Sequence, residues 1–391
     1  MTYLRWLALI LALILVPASV HAQKSGTTVM RVTAVQGAGM VYVRLLDRLK
    51  QNIESGTQGQ VQVELLTNGL GGGEFEALKD QIRGRVEGGW ISVLTLAQSL
   101  KAFRALTLPL VFNDTDQVVQ FVDSPLDKAI RATATAKNLN ILGYGSFGYY
   151  GIMLFEPQSA SAKKFQDDAL LWMKNRAIRV PEEGWLESVQ EKLPGKVVRV
   201  PGIDLKKAVD SGWVNGLLTT PELMANKEWM RKASHFLNLR HLHAWSVFSV
   251  NRSWLESLPV QQRKVVQHEI RVMCDLALKG GLAHHETLVE QWYTTQHPQV
   301  VQASWDRMAR FLNPLVLQTA QELDSMLGIY GGVGRVRGLW EANYGVQQNP
   351  HAPPVNPVVT PVTPVFHAEP TQGQKLASVM LKNRSNRSER P

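Results

Sequence analysis

The chain has 391 residues, of which 45% are apolar and 19% charged, with a formal net charge of +9. That length suits two ordinary domains with residues to spare, and the composition is that of a soluble protein with a sizeable core. Cys274 is the only cysteine, which excludes an internal disulfide and any CxxC or zinc pattern. The positive charge is spread along the chain without a basic run interleaved with aromatics, which argues against nucleic acid as a partner.

The first residues read as a secretory signal peptide. Arg5 supplies the positive flank, Leu7 to Val16 is an unbroken apolar stretch, and Val20-His21-Ala22 has small residues at −3 and −1. Cleavage after Ala22 is expected, and it removes one positive charge. The apolar stretch is shorter than the roughly 20 residues a bilayer span needs, so an uncleaved anchor is the weaker alternative. No cysteine follows the cleavage site, so a lipid anchor is not expected there. A periplasmic, soluble mature chain follows.

Thr28 to Val35 is short and β-branched and reads as a strand. Met40, Val41, Val43, Leu45, Leu46, Leu49 and Ile53 recur at helical spacing. Val61, Val63 and Leu65 alternate with polar residues as in a strand. Asn68-Gly69 and Gly71-Gly72-Gly73 then break the chain, Phe75, Leu78 and Ile82 suggest a helix, and Trp90 to Leu94 a third strand. This alternation predicts an α/β unit with a largely parallel sheet. A second set of shorter elements follows. Strands are expected at Asn140 to Gly143, Gly148 to Phe155, Ala177 to Val180 and Val197 to Val200, and helices at Glu187 to Leu193 and Leu205 to Ser211. Val260 to Leu278 and Trp305 to Met326 read as long amphipathic helices, the first holding Cys274 as a small buried hydrophobe. From about Gln347, crowded prolines and a basic end predict a disordered tail over 347–391.

No catalytic constellation stands out. His241-Leu242-His243 and His284-His285-Glu286 match no HExxH pattern, and His268-Glu269 lacks a second histidine. The pair at 241 and 243 would share a face on a strand, where a metal is conceivable, but ordinary histidines fit as well. No GxSxG elbow occurs. Gly71-Gly72-Gly73 lacks the Lys-Ser/Thr of a P-loop, and Gly331-Gly332-Val333-Gly334 follows a helix rather than a strand, so both read as turns. Trp90, Trp213, Trp245 and Trp254 lie in or beside these elements; most suit the core and one or two could wall a pocket. Arg179 alternates with apolar residues on a strand stopped by Pro181. It fits either a surface ion pair or a bidentate grip on a carboxylate in a cleft.

Several segments together resemble the DctP-type receptors of TRAP transporters, the bacterial extracellular solute-binding proteins of family 7. Leu65-Leu66-Thr67-Asn68-Gly69-Leu70-Gly71 is followed by a helix, Gly88 and Leu108-Pro109-Leu110-Val111-Phe112. Arg176-Ala177-Ile178-Arg179-Val180-Pro181 resembles the family's KIRVP strand, and Ser211-Gly212-Trp213-Val214-Asn215-Gly216 its TGVVDG segment. Trp254, Leu258 and Pro259 suit its W..LP start of a helix.

The resemblance covers about residues 28–345 and implies a two-domain periplasmic-binding-protein fold of class α/β. A long helix would span the hinge. Residues 28–150 with about 240–282 would form one domain, and 151–239 with about 283–346 the other. It implies a receptor rather than an enzyme, without cofactor or metal. Such a receptor captures a small organic acid in the interdomain cleft and meets TRAP permease membrane subunits transiently. A sensor or scaffold subunit without a transport role is the alternative. Arg179 would grip the ligand carboxylate, with Tyr150, Trp213, Asn215, Thr219 and Glu74 as further candidates. Tyrosine stands at Tyr150 where a second arginine is common, and Leu217 to Thr220 replace an acidic-amide stretch. A monocarboxylate with an apolar or aromatic body is therefore expected over a dicarboxylate.

Overall fold

The computed structural model describes residues 26–35, 41–155, 168–181, 184–201, 204–225 and 228–327. The signal peptide, Gly331 to Gly334 and the proline-rich tail lie outside the described residues. No helix among the described residues is long and apolar enough to cross a membrane.

The first lobe opens as the apolar spacing predicts. It runs through β1 (Thr28–Thr33), α1 (Val41–Gly56), β2 (Val61–Leu66), α2 (Glu74–Arg83), β3 (Gly88–Ser92), α3 (Val93–Ser99) and a 3-10 helix, Lys101–Thr107. The strand expected at Trp90 to Leu94 ends at Ser92, whose hydroxyl accepts from Leu94 N and starts α3. After α4 (Thr115–Phe121) and α5 (Pro125–Ala134) comes β4 (Leu139–Tyr149). The two short strands expected here are one long strand followed at once by β5 (Gly151–Leu154). Three glycines, Gly143, Gly145 and Gly148, hid its apolar pattern.

The second lobe adds α6 (Ala169–Met173), β6 (Ala177–Arg179), α7 (Gly184–Gln190), β7 (Lys196–Val198), α8 (Leu205–Asp210), β8 (Gly216–Thr219), α9 (Pro221–Ala225) and β9 (His235–Asn238). β10 (His243–Asn251) then returns to the first lobe and leads into α10 (Arg252–Ser257) and α11 (Val260–Thr295). β11 (Gln299–Gln302) and α12 (Trp305–Leu327) complete the described chain.

Among the described residues the strands form two sheets, ordered β2-β1-β3-β10-β4 and β11-β9-β5-β8-β6-β7. β1, β2 and β3 run parallel, as do β6, β7 and β8, while β10 and β5 run antiparallel to their neighbours. The chain changes sheet at Tyr150 and again between Asn238 and His243. These crossings are laddered together: Tyr150 N donates to Leu242 O at 2.9 Å, and Arg240 N donates to Tyr150 O at 3.1 Å. An apolar cluster runs through this junction, joining Leu142, Phe147 and Leu242 to Tyr150, Ile152 and Leu237.

Two helices brace the crossings. α11 packs along β4 and α1 and reaches α9 and β11, so it touches elements of both sheets. Its close approach to β4 requires Gly281, where a Cβ would lie 1.9 Å from Ser146 O. α12 places Met308 and Leu312 in the cluster shared by both sheets. Beyond Pro314, its Val316, Ala320 and Leu323 join Phe103 and Leu106 of the first lobe. The sequence reading gives all of 283–346 to the second domain; the structure lays the end of α12 on the first.

Candidate functional site

Parallel strands present their carboxyl ends to a common edge, where ligands of α/β sheets characteristically bind. In the second sheet that edge carries Arg179 and Thr219. Arg179 is opposite Leu217 on β8, and Thr219 lies two residues further on. Antiparallel β5 begins at this edge, with Gly151 opposite Thr219, and so brings Tyr150 to it. Tyr150 and Thr219 are buried, while Arg179 is half-buried with its Nε donating to Val200 O at 3.1 Å. That bond ties one side of the guanidinium to the loop after β7.

Trp213 and Asn215 are not brought to this edge. Both precede β8 and so stand at the opposite end of the sheet. Trp213 is 58% exposed. Asn215 Oδ1 accepts from Ala177 N at 3.0 Å, and its backbone N donates to Ala177 O at 2.9 Å. The Asn215 carbonyl accepts from Phe155 N. Asn215 thus fastens the ends of three strands, which corrects its reading as a ligand contact. The Val-Asn-Gly motif is legible in the sequence, but the end of the sheet it occupies is not.

Glu74 belongs to the first lobe, at the start of α2 beyond the carboxyl end of β2. Its Oε2 accepts from Ser92 N at 3.2 Å and from Thr95 Oγ1 at 2.8 Å, coupling the starts of α2 and α3. Glu74 acts on Tyr42 of α1, and so does Glu222 of α9 in the second lobe. Burial pushes the Tyr42 phenol well above its ordinary pKa, and the two carboxylates push it further. Glu222 is itself buried, three residues after Thr219. Tyr42 and Glu222 were absent from the sequence candidates. Tyr42 hides in an apolar helical stripe, and an acidic residue after Pro221 reads as an ordinary helix start.

The crossing region holds three buried histidines. His243 Nε2 lies 2.8 Å from Ser146 Oγ, and Tyr149 N donates to His285 Nδ1 at 3.3 Å. The latter bond makes His285 a neutral imidazole with its proton on Nε2. Burial holds His241 and His285 down to about 3, and drives His243 well below its usual value. The Arg240 guanidinium opposes protonation of His243 and His285 further. It lies 4.1 Å from the Tyr149 ring centroid and pairs with Glu286 at 2.8 Å. No group of three or more His, Cys, Asp or Glu among the described residues is arranged to hold a metal ion. His241 and His243 belong to the packed junction.

Residues 34–312 match the sequence profile of DctP, the bacterial extracellular solute-binding protein family 7. The chain belongs to this family. Its two-sheet α/β fold is that of TRAP periplasmic solute-binding proteins. One such protein, from Ochrobactrum anthropi, has its C-terminus bound in the ligand-binding pocket. It is similar with a TM-score of 0.69 at 18% identity, covering 82% of this chain and 99% of that one. The sugar acid binding protein DctPAm from Advenella mimigardefordensis, in complex with galactonate, gives 0.68 at 16%, covering 81% and 97%. A TRAP periplasmic solute-binding protein from Chromohalobacter salexigens with bound D-glucuronate gives 0.69 at 13%, covering 80% and 99%. An uncharacterized protein of Haemophilus influenzae is 18% identical over 254 residues, covering 62% of this chain and 74% of that protein. The DctP family is one of substrate-binding receptors rather than enzymes.

Proposed function

We propose that this DctP-family chain is the periplasmic receptor of a TRAP-type secondary transporter. It captures a small organic acid between the two lobes and delivers it to membrane permease subunits. The ligand carboxylate is held by Arg179. The observation behind this is the position of Arg179 at the carboxyl edge of β6, with its Nε fixed by Val200 O and Tyr150 and Thr219 on the same edge. A guanidinium held on one side presents a planar, preorganised donor set, which suits a carboxylate. Related TRAP receptors with bound galactonate and D-glucuronate support an organic acid as the class.

The edge residues described beside Arg179, Tyr150 and Thr219, are neutral and offer a second ligand carboxylate no opposite charge. A monocarboxylate is therefore favoured over a dicarboxylate. The apolar stretch Leu7 to Val16 and the small residues Val20 and Ala22, read as a signal peptide, support a periplasmic mature chain.

The test is a thermal-shift screen of monocarboxylates and dicarboxylates that includes galactonate and D-glucuronate. A true ligand at a hundredfold excess over Kd stabilises the protein by about 2.7 kcal/mol. Arg179→Ala should abolish that shift while leaving the unliganded melting temperature close to wild type. Stabilisation by dicarboxylates alone, or an undiminished shift in Arg179→Ala, would count against the assignment.

A further inference from the structure

The two lobes touch away from the crossing strands through a side chain that the ligand-binding reading does not use. Trp185 is the second residue of α7, six residues beyond Arg179. Its Nε1 donates to Thr107 O at 2.9 Å. Thr107 is the last residue of the 3-10 helix Lys101–Thr107 in the first lobe. Carbonyls at a helix end lack a partner within the helix, so the indole satisfies an acceptor that the fold leaves over. Trp185 also packs against both large apolar clusters, the one shared by the two sheets and the one of the first lobe. α7 itself connects β6 and β7 of the second sheet, and its Leu186 and Val189 are fully buried. The helix is thus rooted on one side of the cleft and donates its hydrogen bond to the other.

We infer that Trp185 is an interlobe clasp, a positioning residue that sets ligand affinity by stabilising the closed arrangement of the lobes. The inference rests on the receptor reading above. A ligand that needs the closed arrangement binds with an apparent affinity scaled by the closed fraction. Each contact made only on closure raises that fraction. A neutral hydrogen bond and its packing are sufficient to shift the closed fraction about three- to tenfold. Because the clasp belongs to the closed arrangement, which must open before the ligand leaves, its loss is read most directly in the dissociation rate.

The first measurement needs no ligand. In wild-type chain, indole N–H exchange with solvent is followed by NMR, with Trp185 assigned from the resonance missing in Trp185→Phe. Trp213, 58% exposed, is the internal reference. The clasp requires the Trp185 indole to exchange far more slowly than that of Trp213; equal rates overturn it. The second measurement compares wild type and Trp185→Phe by small-angle scattering. A larger radius of gyration in the variant, with an unchanged melting temperature, supports the clasp; identical radii refute it.

With galactonate and D-glucuronate as probes, Trp185→Phe should raise koff and Kd about three- to tenfold. Unchanged koff on a probe that binds wild type overturns the clasp. Failure of wild type to bind any acid would count instead against the receptor reading, since indole exchange and scattering are read without ligand.

Discussion

Asn215 closes both backbone groups of Ala177, accepting from its N on Oδ1 at 3.0 Å and donating to its O at 2.9 Å. This pairing starts β6 and β8 in register, at the end of the sheet away from Arg179. Asn215→Ala strips the side-chain acceptor from Ala177 N. Chemical denaturation should show a loss of about 1–3 kcal/mol. Ligand affinity, measured where the variant is still folded, should be unchanged; a selective loss of binding would restore Asn215 to the ligand site.

Arg179→Lys keeps the charge but not the fork. A lysine cannot hold both carboxylate oxygens while a second donor is fixed on Val200 O. Calorimetric titration should show Kd for the cognate acid rising by at least about tenfold, near 1.4 kcal/mol. Equal affinity in Arg179→Lys would mean that simple charge, not geometry, holds the carboxylate.

The junction should be sensitive to acid. His241 and His285 are held down to about 3 and His243 well below its ordinary value, all by burial. Their unfolded values lie near 6.5, so below that pH the unfolded chain takes up protons that the folded chain refuses. Their contribution is complete above about pH 6.5 and is lost as pH falls from there towards 3. His241 and His285 each cost about 1.4 kcal/mol per pH unit over that window. His285→Gln, whose amide oxygen can still accept from Tyr149 N, should flatten the acid limb of a stability-against-pH curve by one histidine's share. A pH-independent stability between 4 and 6 would refute this.

Gly148 has φ of +80°, and a Cβ there would lie 2.3–2.5 Å from the His285 side chain. Both the backbone and the ring oppose a side chain. Gly148→Ala should destabilise the chain by about 1–3 kcal/mol or more, measured by denaturant midpoint, because β4 and α11 would be forced apart.

Local signals in the sequence determined most of the elements. Apolar spacing marked α1, α11 and α12, β-branched residues marked β1, and alternation marked β2. The ordered motifs around Asn68-Gly69, Leu108-Pro109 and Arg179-Val180-Pro181 were enough to indicate the family, because turn, strand-end and proline constraints are encoded locally. The same pattern put Arg179 on a short strand stopped by Pro181.

What the sequence alone could not decide was which residues meet across the chain. Trp213 and Asn215 lie only a few residues before Thr219, yet the direction of β8 puts them at the other end of the sheet. Glycines in β4 masked its length, and β10 begins at His243, the second of two histidines that read as possible ligands. Tyr42, Glu222 and the Trp185–Thr107 bond are contacts between distant segments. They arise only when two sheets, two crossings and two shared helices set the lobes against each other, and no spacing along the chain records that geometry.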